Sequence, residues 1–215
     1  MVQVAAKKIK TIFRCQVCGH GSAKWLGQCP DCNTWNSHEE EKDAPAKPAQ
    51  VSSYLKTHKA GTKTLGEIDH SLKGRFMTGI AEFDRVVGGG ITPGSLTLIG
   101  GEPGVGKSTL LLKVVGEIAM KLPNEYILYV SGEESLEQIA GRAKRLNINP
   151  KNLLLMHENA WEVIKEEVLS KRPKFLVVDS IQTTVTLELQ SAPGTVGQIR
   201  EVTYEIMELT KGLGI

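Results

Sequence analysis

Residues 101–109 read Gly-Glu-Pro-Gly-Val-Gly-Lys-Ser-Thr, and the interpretation of the whole chain starts from this stretch. An apolar run at 96–99 precedes it, and an amphipathic segment rich in leucine and valine follows it. The pattern G-x4-G-K-[ST] between a strand and a helix is typical of a loop whose backbone N–H groups surround phosphate oxygens. The positive end of the following helix dipole adds to that attraction. The alternative, an accidental glycine turn, leaves the spacing of the lysine and the serine unexplained.

The loop as a whole is predicted to bind the nucleotide. Lys107 is expected to contact the β- and γ-phosphates, and Ser108 is expected to offer its hydroxyl to Mg²⁺. ATP and Mg²⁺ are therefore the predicted cofactors of this part of the chain. The candidate ligands from the loop are Gly101, Glu102, Pro103, Gly104, Val105, Gly106, Lys107, Ser108 and Thr109.

Two further apolar runs end in acids that can complete such a site. Residues 175–179 read Phe-Leu-Val-Val-Asp, the Walker-B pattern, so Asp179 is predicted to hold Mg²⁺ through its water shell. Residues 126–130 lead into Glu133 and Glu134, and Glu133 is the first candidate to polarise the attacking water, with Glu134 second. The alternatives are a turn-forming aspartate and acids that favour the start of the next helix.

All four cysteines lie near the amino terminus, in two C-x2-C pairs separated by ten residues. Four thiolates at this spacing match the tetrahedral all-sulfur site that Zn²⁺ favours, so a zinc ribbon is predicted. A disulfide is the alternative, which a reducing compartment disfavours. His20 and His38 are expected to be bystanders. The predicted zinc ligands are Cys15, Cys18, Cys29 and Cys32.

Two tryptophans, Trp25 and Trp35, lie among basic residues of this module. Exposed indoles with nearby positive charge suit single-stranded nucleic acid, through base stacking and phosphate attraction. The other interpretation is that both rings pack a small core around the zinc. The sequence leaves this choice open.

The 215 residues are predicted to form a zinc ribbon (1–36), a flexible polar linker (37–62) and a nucleotide-binding core (63–215). The core alternates strands, at 96–99, 126–130, 153–156 and 175–178, with helices at 107–121, 135–146, 161–169 and 195–211. This alternation is typical of an α/β fold with a parallel sheet covered on both faces. Because the last helix ends where another strand is expected, the core is expected to be truncated on its C-terminal side.

The composition excludes a membrane-spanning protein and does not indicate a strongly basic one. Hydrophobic residues make up 40% of the chain, and its net charge is only +2. The sequence lacks an apolar run of about 18 residues, and its start lacks the apolar stretch of a signal peptide. The expected location is the cytoplasm, with no membrane partner.

The quoted motifs together resemble the RadA (Sms) family of bacterial DNA repair proteins, which are RecA-like ATPases. The matching stretches include the cysteine pairs, Trp25-x-Gly-x-Cys29, the phosphate loop, residues 130–134 (Val-Ser-Gly-Glu-Glu) and residues 178–183 (Val-Asp-Ser-Ile-Gln-Thr). The resemblance implies a RecA-like P-loop core behind a zinc ribbon. It also implies a DNA-stimulated ATPase that processes recombination intermediates by branch migration on single-stranded DNA.

The same resemblance implies a homo-hexameric ring for the full-length form and a RecA-type recombinase as a partner. Two downstream parts of the family, a Lys-Asn-Arg-Phe-Gly motif and a Lon-like domain, are not found in this sequence. Two other functions therefore stay open. One is a KaiC-like ATPase or autokinase switch, and the other is a fragment that binds nucleotide and zinc without turnover.

Overall fold

The computed structural model describes residues 10–43, 74–189 and 191–215, together with the single positions 62, 64 and 67. Most of the predicted linker, the first nine residues and the start of the predicted core lie outside the described residues. The described elements, in chain order, are β1 (Lys10–Cys15), β2 (Gly21–Ser22), β3 (His38–Asp43), α1 (Ala81–Val86), α2 (Lys107–Lys121), β4 (Ile127–Ser131), α3 (Leu136–Arg145), β5 (Leu153–His157), α4 (Trp161–Lys171), β6 (Phe175–Asp179) and α5 (Val196–Leu213).

The amino-terminal module is a three-stranded antiparallel sheet in the order β2-β1-β3. The two cysteine pairs form matching turns, because the N–H of Gly19 donates to the carbonyl of Cys15 and the N–H of Asn33 donates to that of Cys29, both at 2.9 Å. Gly19 and Asn33 have φ values of 79° and 58°. Glycine and asparagine are the residues that adopt this left-handed conformation most readily. The turns therefore bring both cysteine pairs to one end of the small sheet.

Strand β3 lies within residues 37–62, the predicted linker. The amino-terminal sheet therefore extends beyond the predicted boundary at residue 36. Strand β3 pairs with β1 along its whole length, from Lys10 opposite Asp43 to Cys15 opposite His38. Its sequence, His-Glu-Glu-Glu-Lys-Asp, has no apolar residue and gives no strand signal. Backbone pairing with β1 along its whole length forms this strand.

The carboxy-terminal core is built on a parallel sheet in the order β5-β4-β6. The central strand β4 is buried along its whole length. On one face, Ile127 and Tyr129 pack with α2 and α3, and on the other, Leu128 and Val130 pack with α4 and α5. Successive residues of a strand point to opposite faces, so a strand covered on both faces is apolar throughout. The predicted α/β architecture is confirmed.

Most predicted elements of the core agree with the structure to within two residues at each end. Helix α3 begins with a reciprocal capping box, in which Ser135 accepts from the N–H of Gln138 and the Gln138 side chain accepts from the N–H of Ser135. Helix α5 begins after Thr195, whose side chain accepts from the N–H of Gln198. Because each cap involves residues only three positions apart, the starts of these helices could be predicted accurately from the local sequence.

The predicted strand at 96–99 is wrong for this structure. Residues 95–100 have no regular secondary structure, and the side chain of Leu98 is 82% exposed. A strand requires a neighbour for its backbone hydrogen bonds, and the described sheet contains only β5, β4 and β6. The apolar composition of residues 96–99 indicates a strand, but composition does not determine whether a neighbouring strand is available for pairing.

Among the described helices, none combines the length and apolar character needed to cross a lipid bilayer.

Candidate functional site

The four cysteine sulfurs form one compact group at the end of the amino-terminal sheet. All four lie within 4.8 Å of one another, and Cys15–Cys32 and Cys18–Cys29 are 3.6 and 3.4 Å apart. A disulfide would bring two sulfurs to about 2.05 Å. Four sulfurs about 2.3 Å from a central Zn²⁺ have separations close to those found here. The arrangement fits zinc rather than disulfides and brings the four predicted ligands together.

The electrostatics of the cluster favour a cation at its centre. Burial raises the pKa of Cys15, but hydrogen bonds with Ser37 and with backbone groups outweigh it and lower that pKa to about 5. At Cys18 a backbone hydrogen bond involving His20 lowers the pKa, whereas burial and the nearby thiols raise it to about 12. Close thiolates repel one another, so a divalent cation is what allows all of them to be deprotonated.

The two histidines near the cluster have different surroundings. His20 contacts Asp31 through Nδ1 at 2.9 Å, whereas His38 is buried and its ring nitrogens lack a hydrogen-bond partner among the described residues. The group of residues that can hold a metal consists of the four cysteines alone within the described chain. A four-sulfur site is already complete for structural zinc.

The side chains of Trp25 and Trp35 are 53% and 68% exposed, so they do not form a buried core around the zinc site. Both rings approach Gly27, where an added Cβ would lie 3.7 Å from the Trp25 ring and 3.8 Å from the Trp35 ring. Strand β3 adds acidic residues to the module, with Glu39 opposite Arg14 on β1. The module therefore presents two neighbouring indoles on a surface of mixed charge.

The phosphate loop joins residues 95–100 to α2 and is open to solvent. Gly104 and Gly106 have φ values of 81° and 99°, and Gly106 is the residue that caps the start of α2. The first turn of α2 carries no acidic residue, which leaves the positive end of its dipole uncompensated. The Lys107 ammonium donates to the carbonyls of Gly101 and Glu102, at 2.8 and 2.9 Å. The loop thus has the open amide groups and the cation that an anionic ligand needs.

Two of the predicted acids lie at the carboxyl edge of the sheet, close to each other. Ser131 on β4 is in register with Asp179 on β6, so the segments after these strands are adjacent. The hydroxyl of Ser180 donates to Oε1 of Glu133 at 2.7 Å, and the N–H of Gly132 donates to the main-chain carbonyl of Asp179 at 3.0 Å. The structure therefore brings Glu133 and Asp179 into the same part of the core.

The two adjacent glutamates differ in what they contact. Glu134 forms an ion pair with Arg142 of α3, and both side chains are mostly buried. Glu133 is exposed and contacts Ser180. A residue that polarises water must reach the reacting group, and a carboxylate already paired with a guanidinium is less free to do so. The geometry thus ranks Glu133 ahead of Glu134.

Asp179 has a partner that the sequence does not indicate. The Tyr129 hydroxyl, buried on β4, donates to Asp179 Oδ2 at 2.6 Å. Burial and the neighbouring carboxylate both raise the pKa of Tyr129, so the phenol is a permanent donor. In the sequence, the one feature that could have indicated this contact is the Tyr129 hydroxyl, the single polar group in the otherwise apolar run 127–130.

The loop between β6 and α5 is held by two side chains that the sequence analysis also missed. Gln198 is buried, accepts from the N–H of Thr186, and donates to the carbonyls of Thr186, Leu189 and Ser191. Glu162 of α4 accepts from the Thr186 hydroxyl and from the N–H of Leu187. The described part of this loop is therefore fixed to two helices at the carboxyl edge of the sheet.

The fold and these sites define a class of protein: a RecA-like P-loop core preceded by a four-cysteine zinc ribbon. The family model described as KaiC matches residues 76–159, and the one described as a rubredoxin metal-binding domain matches residues 13–40. Both matches agree with the two modules found in the structure.

Proteins named DNA repair protein RadA are similar over almost the whole chain. The Bacillus subtilis protein is 44% identical over 210 residues, which cover 97% of this chain and 45% of the relative. The Campylobacter jejuni protein is 46% identical over 212 residues, which cover 97% of this chain and 46% of the relative. The chain is thus related to the RadA proteins, which confirms the resemblance inferred from its motifs. It spans about half the length of these curated relatives.

Proposed function

We propose that this chain contains the zinc ribbon and nucleotide site of a DNA-dependent ATPase of recombinational DNA repair. The observation that carries the proposal is the convergence of Glu133, Ser180 and Asp179 at the carboxyl edge of a sheet behind an intact phosphate loop. Ligands of open α/β sheets bind at this edge. The similarity to proteins named DNA repair protein RadA supports the wider role.

In this proposal the phosphate loop, the magnesium ligands and the general base have separate roles. Lys107 leaves the carbonyls of its own loop and contacts the β- and γ-phosphates of ATP, while the loop amides surround them. Ser108 and Asp179 hold Mg²⁺, which neutralises charge on the phosphates when it is bound. Glu133 orients and polarises the attacking water, with the Ser180 hydroxyl fixing its carboxylate.

The zinc ribbon is proposed to contact single-stranded DNA through its two exposed indoles. Trp25 and Trp35 are exposed and both approach Gly27, so they offer two nearby aromatic faces on which bases can stack. The third tryptophan, Trp161, is buried in the core and does not respond to a surface ligand. Quenching of tryptophan fluorescence by single-stranded DNA is therefore expected, and it should disappear when Trp25 and Trp35 are both replaced by phenylalanine.

The decisive experiment measures ATP hydrolysis by the zinc-loaded chain with and without single-stranded DNA. Hydrolysis that DNA stimulates supports the proposal, and Lys107→Ala is the control that should abolish nucleotide binding. An exposed lysine elsewhere, Lys113→Ala on α2, is the matched control for loss of charge. If the chain shows no magnesium-dependent binding of ATP, the proposed nucleotide site is wrong and the whole proposal fails.

A second candidate is a KaiC-like ATPase or autokinase switch, because the KaiC family model covers the phosphate loop and β4. This candidate predicts DNA-independent transfer of phosphate to protein, which radiolabelled ATP detects on a gel. Nucleotide and zinc binding without any turnover identifies the third alternative, a binding module. The same assay thus separates all three functions.

Assembly and partners are also part of the proposal. We propose a homo-hexameric ring, a RecA-type recombinase as a partner, and branch migration of recombination intermediates, all in the cytoplasm. A reducing compartment suits the four-thiolate zinc site. Mass measurement with ATP and single-stranded DNA tests ring formation, and a branched DNA substrate tests migration.

A further inference from the structure

A phenol hydroxyl lies directly beside the proposed magnesium ligand. Tyr129 is on β4 opposite Val177 of β6, and Asp179 is two residues further along β6. Residues two apart on a strand share a face, so the phenol reaches Asp179 diagonally across the sheet. The distance from the hydroxyl oxygen to Oδ2 of Asp179 is 2.6 Å.

The ring of Tyr129 and its hydroxyl have separate tasks. The ring is 1% exposed and packs in the apolar cluster between the sheet and helices α2 and α3. A phenylalanine would fill the same space, whereas a buried hydroxyl costs free energy unless it is hydrogen-bonded. The bond to Asp179 satisfies the hydroxyl, and it is what distinguishes tyrosine from phenylalanine at this position.

Strand β4 therefore fixes Asp179 in two ways. The N–H of Gly132, just after β4, donates to the main-chain carbonyl of Asp179 at 3.0 Å, and the Tyr129 hydroxyl donates to its side chain. One carboxylate oxygen is thereby occupied from within the core. The other, Oδ1, has no side-chain or backbone partner in the part of the chain that the structure describes, so it is left for a ligand.

We propose that Tyr129 is a positioning residue for magnesium: its hydroxyl fixes the Asp179 carboxylate so that Oδ1 accepts from the water shell of the ion. This inference rests on the proposed nucleotide-binding function. Partners of metal-binding carboxylates act in this way, by fixing the orientation of the ligand before the metal arrives. The Tyr129 hydroxyl itself does not contact the nucleotide.

The test is Tyr129→Phe in the full 215-residue, zinc-loaded chain, with ADP affinity measured by calorimetry across a magnesium titration. In magnesium-free buffer the variant should bind ADP like the wild type. The gain in affinity that Mg²⁺ provides should fall about tenfold, the lower end of the effect of losing such a partner. Tyr126→Phe is the matched control, because Tyr126 is 48% exposed and lies just before β4. It should leave both measurements unchanged.

Repeating the measurement in the Asp179→Asn variant distinguishes a positioning role of Tyr129 from a general structural role. In Asp179→Asn, Tyr129→Phe should cause no further loss of the magnesium effect, since the carboxylate it positions is gone. Equal losses in both backgrounds overturn the inference, as does a wild-type magnesium titration in a folded Tyr129→Phe chain. If the wild-type chain does not bind nucleotide at all, the proposed function fails as well.

A measurement that retains the tyrosine keeps the inference testable if Tyr129→Phe does not fold. The chain has four tyrosines, so replacing Tyr54, Tyr126 and Tyr204 by phenylalanine leaves Tyr129 alone. With 3-fluorotyrosine, its single fluorine resonance should shift on adding ADP with Mg²⁺ and shift much less with ADP alone. Equal shifts in the two conditions overturn the inference.

Discussion

The amino-terminal ribbon and the α/β core are each stabilised by a different kind of interaction. Among the described side chains of the ribbon, the buried ones are Cys15, Cys29, Ser37 and His38. The core buries leucine, isoleucine, valine and tryptophan side chains on both faces of β4. A module too small to bury apolar surface requires another source of free energy, and the four clustered sulfurs provide it by binding metal.

The two regions also differ in where they place the residues that are proposed to bind ligands. Because zinc holds the ribbon, its large side chains are free to lie on the surface, as Trp25 and Trp35 do. In the core, apolar residues occupy the faces of the sheet, so polar chemistry is confined to the strand ends, where Glu133 and Asp179 lie. This division leads to separate testable predictions for the two regions.

Removal of zinc is expected to have the largest effect and to be confined to the ribbon. Chelation should unfold residues 10–43 and leave the core folded, since structural zinc contributes about 10–16 kcal/mol to such modules. Hydrogen exchange measured by mass spectrometry on ribbon and core peptides checks this. Re-addition of Zn²⁺ should restore protection, and a ribbon that stays protected after complete zinc loss would contradict the division.

Glu133→Gln is expected to stop turnover without affecting the ribbon. The hydrolysis rate should fall about 10²–10⁴-fold, the usual contribution of a positioned general base, while ATP affinity and zinc content stay the same. Single-turnover hydrolysis and calorimetry measure these quantities. Glu137→Gln, an exposed acid in the first turn of α3, is the control. A larger loss in Glu134→Gln than in Glu133→Gln would reverse the order of the two candidates.

Gly132→Ala tests the packing of the strand ends in the core. An added Cβ would collide with Asn159 Oδ1 and Thr183 Oγ1 and would lie 3.0 Å from Thr183 Cβ. The expected cost is about 1–3 kcal/mol in the free energy of unfolding of the core, together with weaker nucleotide binding. Urea denaturation measures the first and calorimetry the second.

Gly141→Ala is the matched control, because it lies within α3 and an added Cβ there meets only Arg145 Nη1 at 3.9 Å. It should stabilise the core by about 0.4–1 kcal/mol. Similar destabilisation by both substitutions would show that the strand ends are not tightly packed.

The smallest expected effect is the dependence of core stability on the Asp84 carboxylate. Burial raises the pKa of Asp84, but hydrogen bonds from the N–H groups of Thr78 and Gly79 and from the Thr78 hydroxyl lower it below its ordinary value. A carboxyl whose pKa is depressed in the folded state stabilises the fold above its unfolded pKa, about 3.9. This contribution is lost as the pH falls through the lower folded value.

Urea denaturation of the core at pH values from neutral to acid measures this contribution. Asp84→Asn should be less stable than the wild type at neutral pH, and the difference should shrink at acid pH. Glu82→Gln, an exposed acid on the same helix, should leave the pH dependence unchanged. A difference between Asp84→Asn and the wild type that stays constant with pH would show that the carboxylate charge is not what stabilises the turn.

Features that depend on short-range chemistry could be predicted from the order of the amino acids alone. These are the two cysteine pairs, the phosphate loop, the apolar strands β4, β5 and β6, and the helices that begin at a capping residue or a glycine. In each, residue type and spacing are sufficient, because the interacting groups lie within one turn or one strand. The candidate acids Glu133 and Asp179 were located for the same reason, since each follows an apolar run.

Features that depend on a partner distant in sequence became visible only in the folded chain. The charged residues of β3 form a strand because β1 lies alongside, whereas the apolar residues 96–99 do not, because no described strand pairs with them. The order of Glu133 over Glu134 depends on Arg142 and Ser180, and the role inferred for Tyr129 depends on Asp179, fifty residues away. Backbone pairing and side-chain contacts between elements are set by how the elements pack, which no local pattern encodes.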